Sequence, residues 1–175
     1  NKYTVDYYQR EYSWQQQHIE QLVTDLSTAF LNEYGPQHER TEVENYNSYY
    51  LGPFVLSEKD GMRSIIDGQQ RLTTITLLLE ALATRVGNAE PLENFTADKI
   101  RRYYLIDDRE EGDDRFKLLL TQTDKETLLA IVQQQPVPAE HSVRIAENLD
   151  FFVQAIEGIS EDRLHQLWIG VSKLT

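Results

Sequence analysis

At 175 residues the chain is long enough for one domain with a real core, or for a core carrying a helical appendage. Without cysteine it can form neither a disulfide framework nor a thiolate metal site. Its 29 acidic against 17 basic residues give a net charge of -12, which repels a phosphate backbone on average, so any nucleic-acid contact must be local.

The longest apolar stretches are too short to cross a bilayer, and the N-terminus lacks the basic and apolar blocks of a signal peptide, so the expected location is the cytoplasm and no membrane partner is expected. From the N-terminus, Ser13 followed by Gln16 resembles a capping box, and Ile19, Leu22, Val23, Leu26 and Phe30 recur at helical spacing. That pattern predicts a helix over 14–31, closed by Gly35-Pro36 and followed by a mobile polar loop over 37–48. Tyr49 to Leu56 is aromatic and β-branched, Ser57 to Gly61 supplies turn residues, and Met62 to Ile66 is apolar again, which predicts a hairpin with Pro53 at an edge or a bulge. A helix follows, with Leu72, Ile75, Leu79, Leu82, Ala83 and Val86 on one face and Gly87 at its C-terminal cap.

Further on, Thr96 is placed to cap a short helix through Tyr104, with a solvated acidic loop of Asp107, Asp108, Glu110, Glu111, Asp113 and Asp114 behind it. Phe116 to Leu120 reads as a strand and Asp124 as the cap of a helix over 125–134. Pro136 and Pro138 then break the chain before two amphipathic helices, over 140–157 and from 160 to the end. The chain starts in mid-pattern at Asn1 and stops at Thr175 without a tail, as expected of a fragment of a larger protein. It divides into a core over 1–90 and a mainly helical extension over 91–175.

The densest polar cluster, Asp67-Gly68-Gln69-Gln70-Arg71, stands where the second hairpin strand hands over to the long helix. The first turn of that helix leaves backbone N–H groups unpaired, and such a terminus attracts an anion. Arg71 sits there against the helix dipole, an unfavourable place for a cation unless an anion is bound nearby. Gly68 permits close backbone approach, and the guanidinium fork of Arg71 matches phosphate oxygens. Asp67 has the wrong charge for phosphate, but it could hold magnesium, orient Arg71 or orient a water. Gln69 and Gln70 can donate to phosphate or position a water. The structural alternative is that Asp67 pairs with Arg71 at i, i+4 and the cluster only caps the helix. No Walker motif is present.

A second constellation, Tyr8-Gln9-Arg10-Glu11-Tyr12-Ser13-Trp14, again sets a glutamine and an arginine before a helix start, so the two clusters could converge on one ligand. Tyr12 and Trp14 are better read as packing residues. His18, His38, His141 and His165 are scattered and have no metal-ligand spacing.

These two blocks, with Tyr50-Leu51-Gly52-Pro53-Phe54-Val55-Leu56 between them and Phe116 to Leu120 with Asp124 as a weaker later block, resemble the GmrSD restriction-endonuclease N-terminal domain family. The chain departs from the family at Val5-Asp6, where Ile-Pro is usual. The resemblance implies an α+β fold, a ParB/sulfiredoxin-like small mixed sheet with packed helices, followed by a mainly helical C-terminal part. It implies that Asp67, Gly68, Gln69, Gln70 and Arg71 bind and hydrolyse GTP or another NTP, with Asp67 on magnesium and with Gln9 and Arg10 assisting the nucleotide. Tyr8, Gln9 and Arg10 form the block that relatives use to sense modified DNA. The implied setting is anti-phage defence by a modification-dependent nuclease, whose cutting belongs to a C-terminal His-Asn-His domain that this chain does not contain.

Three readings stand at this point: an NTP-hydrolysing regulatory domain, a DNA-modification-sensing module that hydrolyses nothing, and a scaffold whose helical half docks another protein.

Overall fold

In a computed structural model that describes residues 2–6, 9–90 and 95–174, the chain forms a mixed α+β fold: a four-stranded sheet carried by seven helices. β1 (Tyr3–Val5) lies inside the sheet. It pairs in parallel with β3 (Met62–Asp67) on one side and with β4 (Leu118–Leu119) on the other, while β2 (Val55–Lys59) runs antiparallel to β3 at the edge.

The hairpin forms later in the chain than its composition predicts. The first strand opens only at Val55 and runs on through Ser57, Glu58 and Lys59, and the turn shrinks to Asp60-Gly61, both at positive φ as a tight two-residue loop requires. All five β2 residues are exposed, so its polar residues incur no burial cost, and Glu58 pairs with Arg63 across the ladder at 3.6 Å. Pro53, which has no N–H to donate, falls just outside the ladder. Tyr49 instead donates its N–H to the Lys173 carbonyl at 2.8 Å.

α1 (Gln16–Thr28) is shorter than predicted. Its cap is Gln15, in a reciprocal pairing with His18, and Ile19, Leu22 and Leu26 form the buried stripe. The stretch predicted as a loop after it contains a short helix, α2 (Arg40–Glu44). α3 (Gln69–Val86) is the central helix and is buried almost all round, from Ile75 through Leu82 to Val86. Thr73, Thr74 and Thr76 tolerate that burial because each hydroxyl donates to the carbonyl four residues back, at 2.8, 2.8 and 2.9 Å.

Thr96 caps α4 (Ala97–Ile100) through its side chain, as expected, and the helix widens into a π-turn over Arg101–Leu105. The acidic loop passes through a 3-10 turn at Gly112–Arg115, and its carboxylates pair locally, Asp107 with Arg109 at 2.8 Å and Asp113 with Lys125 at 2.7 Å. α5 (Gln122–Val132) starts from Thr121 rather than from Asp124, which lies inside its first turn. α6 (Val143–Glu157) and α7 (Glu161–Ser172) are capped by Ser142 and Ser160.

α6 packs on α3 and α7 on α1. Phe95, Ile145, Phe152 and Leu164 therefore join Ile19, Leu77, Leu78 and Leu82 in one apolar core that runs across the expected boundary near residue 90. No helix among the described residues is long and apolar enough to cross a membrane.

Candidate functional site

The chain leaves β3 at Asp67 and turns through Gly68, at a φ of 100°, directly into α3. Asp67 is exposed, and its Oδ1 accepts the Gly68 N–H at 2.9 Å. Gly68, the cap residue of α3, has no side chain with which to cap the first turn. The ring of Phe54 lies so close over Gly68 that a Cβ there would overlap it. A side chain at this position would thus meet both backbone strain and a wall.

Arg71, the cation that sequence chemistry finds misplaced, has found partial negative charge nearby. Its Nη1 donates to the Leu51 carbonyl at 3.2 Å, its Nη2 donates to the Pro53 carbonyl, and its guanidinium lies 5.1 Å from the centre of the Phe54 ring. A Cβ on Gly52, whose φ is 119°, would overlap Nη1. The Asp67–Arg71 pair at i, i+4 does not form among the described residues. The Leu51 to Phe54 block and the Asp67 to Arg71 block are therefore two halves of one packed unit, a link that sequence spacing alone does not show.

The N-terminal constellation meets the same helix start. The Gln69 Nε2 donates to the Gln9 Oε1 at 3.1 Å. Gln70, only 7% exposed, holds the backbone of the preceding loop at two points: its Nε2 donates to the Glu11 carbonyl at 3.0 Å and its Oε1 accepts the Ser13 N–H at 2.8 Å. The Gln70 amide is thus engaged by main chain at both ends, whereas Gln69 is half-buried beside exposed Arg10. Arg10, Tyr12, Gln69, Gln70, Thr73 and Asp124 line a small open pocket with room for about one water. Tyr8 lies outside the described residues.

Two residues that sequence reasoning did not place at the site hold this loop from the second half of the chain. Buried Asp124 accepts the Tyr12 N–H at 2.7 Å. Asn148, on α6, donates through Nδ2 to the Tyr12 hydroxyl at 3.0 Å and to the Trp14 carbonyl at 2.8 Å. The Tyr12 hydroxyl also bonds Thr74 at 2.8 Å. Burial raises the Tyr12 pKa, against the opposing pull of the Thr74 and Asn148 hydrogen bonds. Asn148 had a signal in the sequence: it interrupts the apolar stripe Ile145, Phe152, Ile156 at helical spacing, where a polar group must find a partner.

No group of three or more His, Cys, Asp or Glu side chains among the described residues is placed to hold a metal by itself. Asp67 is a single exposed carboxylate, and magnesium commonly takes one or two protein carboxylates and completes its shell with water and substrate phosphates.

No curated protein matches the chain. The model of the GmrSD restriction endonuclease N-terminal domain matches residues 1–167, nearly the whole chain, and the chain belongs to that family.

Proposed function

We propose that this chain is the nucleotide-binding regulatory part of a modification-dependent DNA nuclease, taking GTP or another NTP, with magnesium, at the start of α3. The observation that carries the proposal is the convergence of the two Gln/Arg blocks: the Gln9–Gln69 bond and the double grip of Gln70 on Glu11 and Ser13 set Arg10 beside the first turn of α3. The N–H groups of that turn, for which the described residues supply no side-chain cap, favour an anion with the dipole behind them, and exposed Arg10 adds a full positive charge. Gly68, itself buried under Phe54, turns the chain into that first turn at a φ of 100°. Gln69 is the amide placed to orient a water, and Asp67 is the carboxylate available to a metal. Bound magnesium would supply charge neutralisation on the phosphates.

The work asked of these groups is positioning and electrostatic stabilisation. Phosphate release from GTP, ATP and CTP, measured with magnesium on the intact protein, tests the proposal. Arg10→Ala is expected to raise KM roughly tenfold or more, the scale of one charge-assisted hydrogen bond. Asp67→Ala should lower kcat by about a hundredfold. Turnover unaltered by both substitutions would sink the proposal.

A DNA-sensing module without hydrolysis is the second reading, favoured by the surface position of Arg10 next to Gln9. It predicts binding to modified DNA with a shallow salt slope, about one phosphate's worth, and no phosphate release. Coupling to a C-terminal His-Asn-His nuclease domain belongs to either reading.

A further inference from the structure

The turn that opens α3 at the proposed anion site has a fastening that no part of the function requires. Residues Leu51 to Phe54 lie outside the β2 ladder, yet the Phe54 ring is pressed on Gly68 at the point where α3 begins. Leu51 packs against the core, and Arg71 fastens the rest of the segment. Both of its terminal nitrogens turn back on main-chain carbonyls, Leu51 at 3.2 Å and Pro53, while its plane lies 5.1 Å from the Phe54 ring centre and against the bare Cα of Gly52. A lysine could not reproduce this arrangement, because a single ammonium has no planar fork to span two carbonyls and stack on a ring at once.

We infer that Arg71 is a positioning residue, which clamps the Leu51 to Phe54 segment against Gly68 and so fixes the turn into α3, and that Arg10 is the cation that meets the anion. The inference rests on the nucleotide proposal for its kinetic consequence but not for its structural one. Gly52 belongs to the clamp: any side chain there displaces the guanidinium while leaving its charge in place.

The test compares Arg71→Lys, Gly52→Ala, Phe54→Leu and Arg10→Lys in the intact protein. Hydrogen exchange at the amides of Gly52, Phe54 and Val55 is the first readout, with α6 amides as the check that each variant is folded. Arg71→Lys, Gly52→Ala and Phe54→Leu are each expected to speed exchange in this segment about tenfold or more, with Arg71→Lys plus Gly52→Ala no worse than either alone. Arg10→Lys should leave it unmoved. In phosphate release, Arg71→Lys and Gly52→Ala should both raise KM with kcat nearly kept. The inference is overturned if exchange in the segment is unaltered by Arg71→Lys and Gly52→Ala, or if Arg71→Lys keeps the wild-type KM. Should the wild type release no phosphate, the nucleotide proposal fails, and the exchange pattern alone decides whether Arg71 is the clamp.

Discussion

Tyr12 ties the N-terminal loop to three helices, α3 through Thr74, α5 through Asp124 and α6 through Asn148. Its hydroxyl is only one of several ties: Thr74 also bonds the Gln70 carbonyl at 2.8 Å, and Asn148 also bonds the Trp14 carbonyl at 2.8 Å. Tyr12→Phe should therefore cost only about 1 kcal/mol near neutral pH, the net worth of an ordinary hydrogen bond. At alkaline pH this contribution falls. The folded-state pKa of this phenol is raised by burial, so the stability it contributes is full below the unfolded tyrosine value of about 10 and is lost as pH rises through the folded value. Urea midpoints at about pH 8 and about pH 11 should show the gap between wild type and Tyr12→Phe narrowing. An unchanged gap would mean that the phenol titrates as if in water. At this scale the sequence revealed which residues were polar and near helix starts, but not which ones fasten the others. Gln70 and Arg71 have the side-chain chemistry of ligands and are held by backbone; Asp124 has the chemistry of a helix cap and holds a loop 112 residues away in sequence. Tertiary partners of this kind leave no periodic trace.

Among the elements, α3 was legible from end to end, because its apolar face, its opening glycine and its closing glycine agree with one another. The hairpin was not. Ser57, Glu58 and Lys59 have turn composition, but on an edge strand exposed on both faces polar residues fit the ladder as well as apolar ones, and only Asp60-Gly61 marks the real reversal. The π-turn at Arg101–Leu105 likewise has no mark in the sequence pattern, and its reason is visible in the packing. It delivers Arg101 to Glu80, a carboxylate 4% exposed on the buried face of α3, at 2.8 Å. Burial raises the Glu80 pKa against the opposing pull of Arg101. Removing the cation by Arg101→Met leaves that carboxylate dry and unpaired, a loss of about 3–5 kcal/mol in chemical denaturation. Because a raised carboxyl pKa makes stability fall as pH climbs through it, the deficit should shrink toward acid pH. The double change Arg101→Met with Glu80→Met should recover most of the loss. If the single change costs less than about 1 kcal/mol, Glu80 is not held away from water.

For the molecule as a whole, the family resemblance anticipated a mixed α+β fold, and the net charge confines any polyanion contact to a local site. The sequence suggested a break near residue 90, where the pattern passes from hairpin and central helix to a run of helices. The core ignores that break. Phe152 of α6, wholly buried, packs among side chains of α3, and Phe95 stacks on Trp168 at 4.5 Å. β4 supplies a strand to a sheet begun at Tyr3, and Asp124 and Asn148 reach back to the loop that carries Arg10. A shared core and shared polar ties make independent unfolding of the halves unfavourable, since either half alone would expose the apolar face the other covers. One cooperative transition is therefore expected. Trp14 and Trp168 report on opposite halves, so single-tryptophan variants, Trp168→Phe and Trp14→Phe, should give coincident urea midpoints that agree with loss of helical circular dichroism. Two separated midpoints would show that the helical half is a unit of its own. The loop bearing Gln9 and Arg10 would then have to be held by residues of the first half alone.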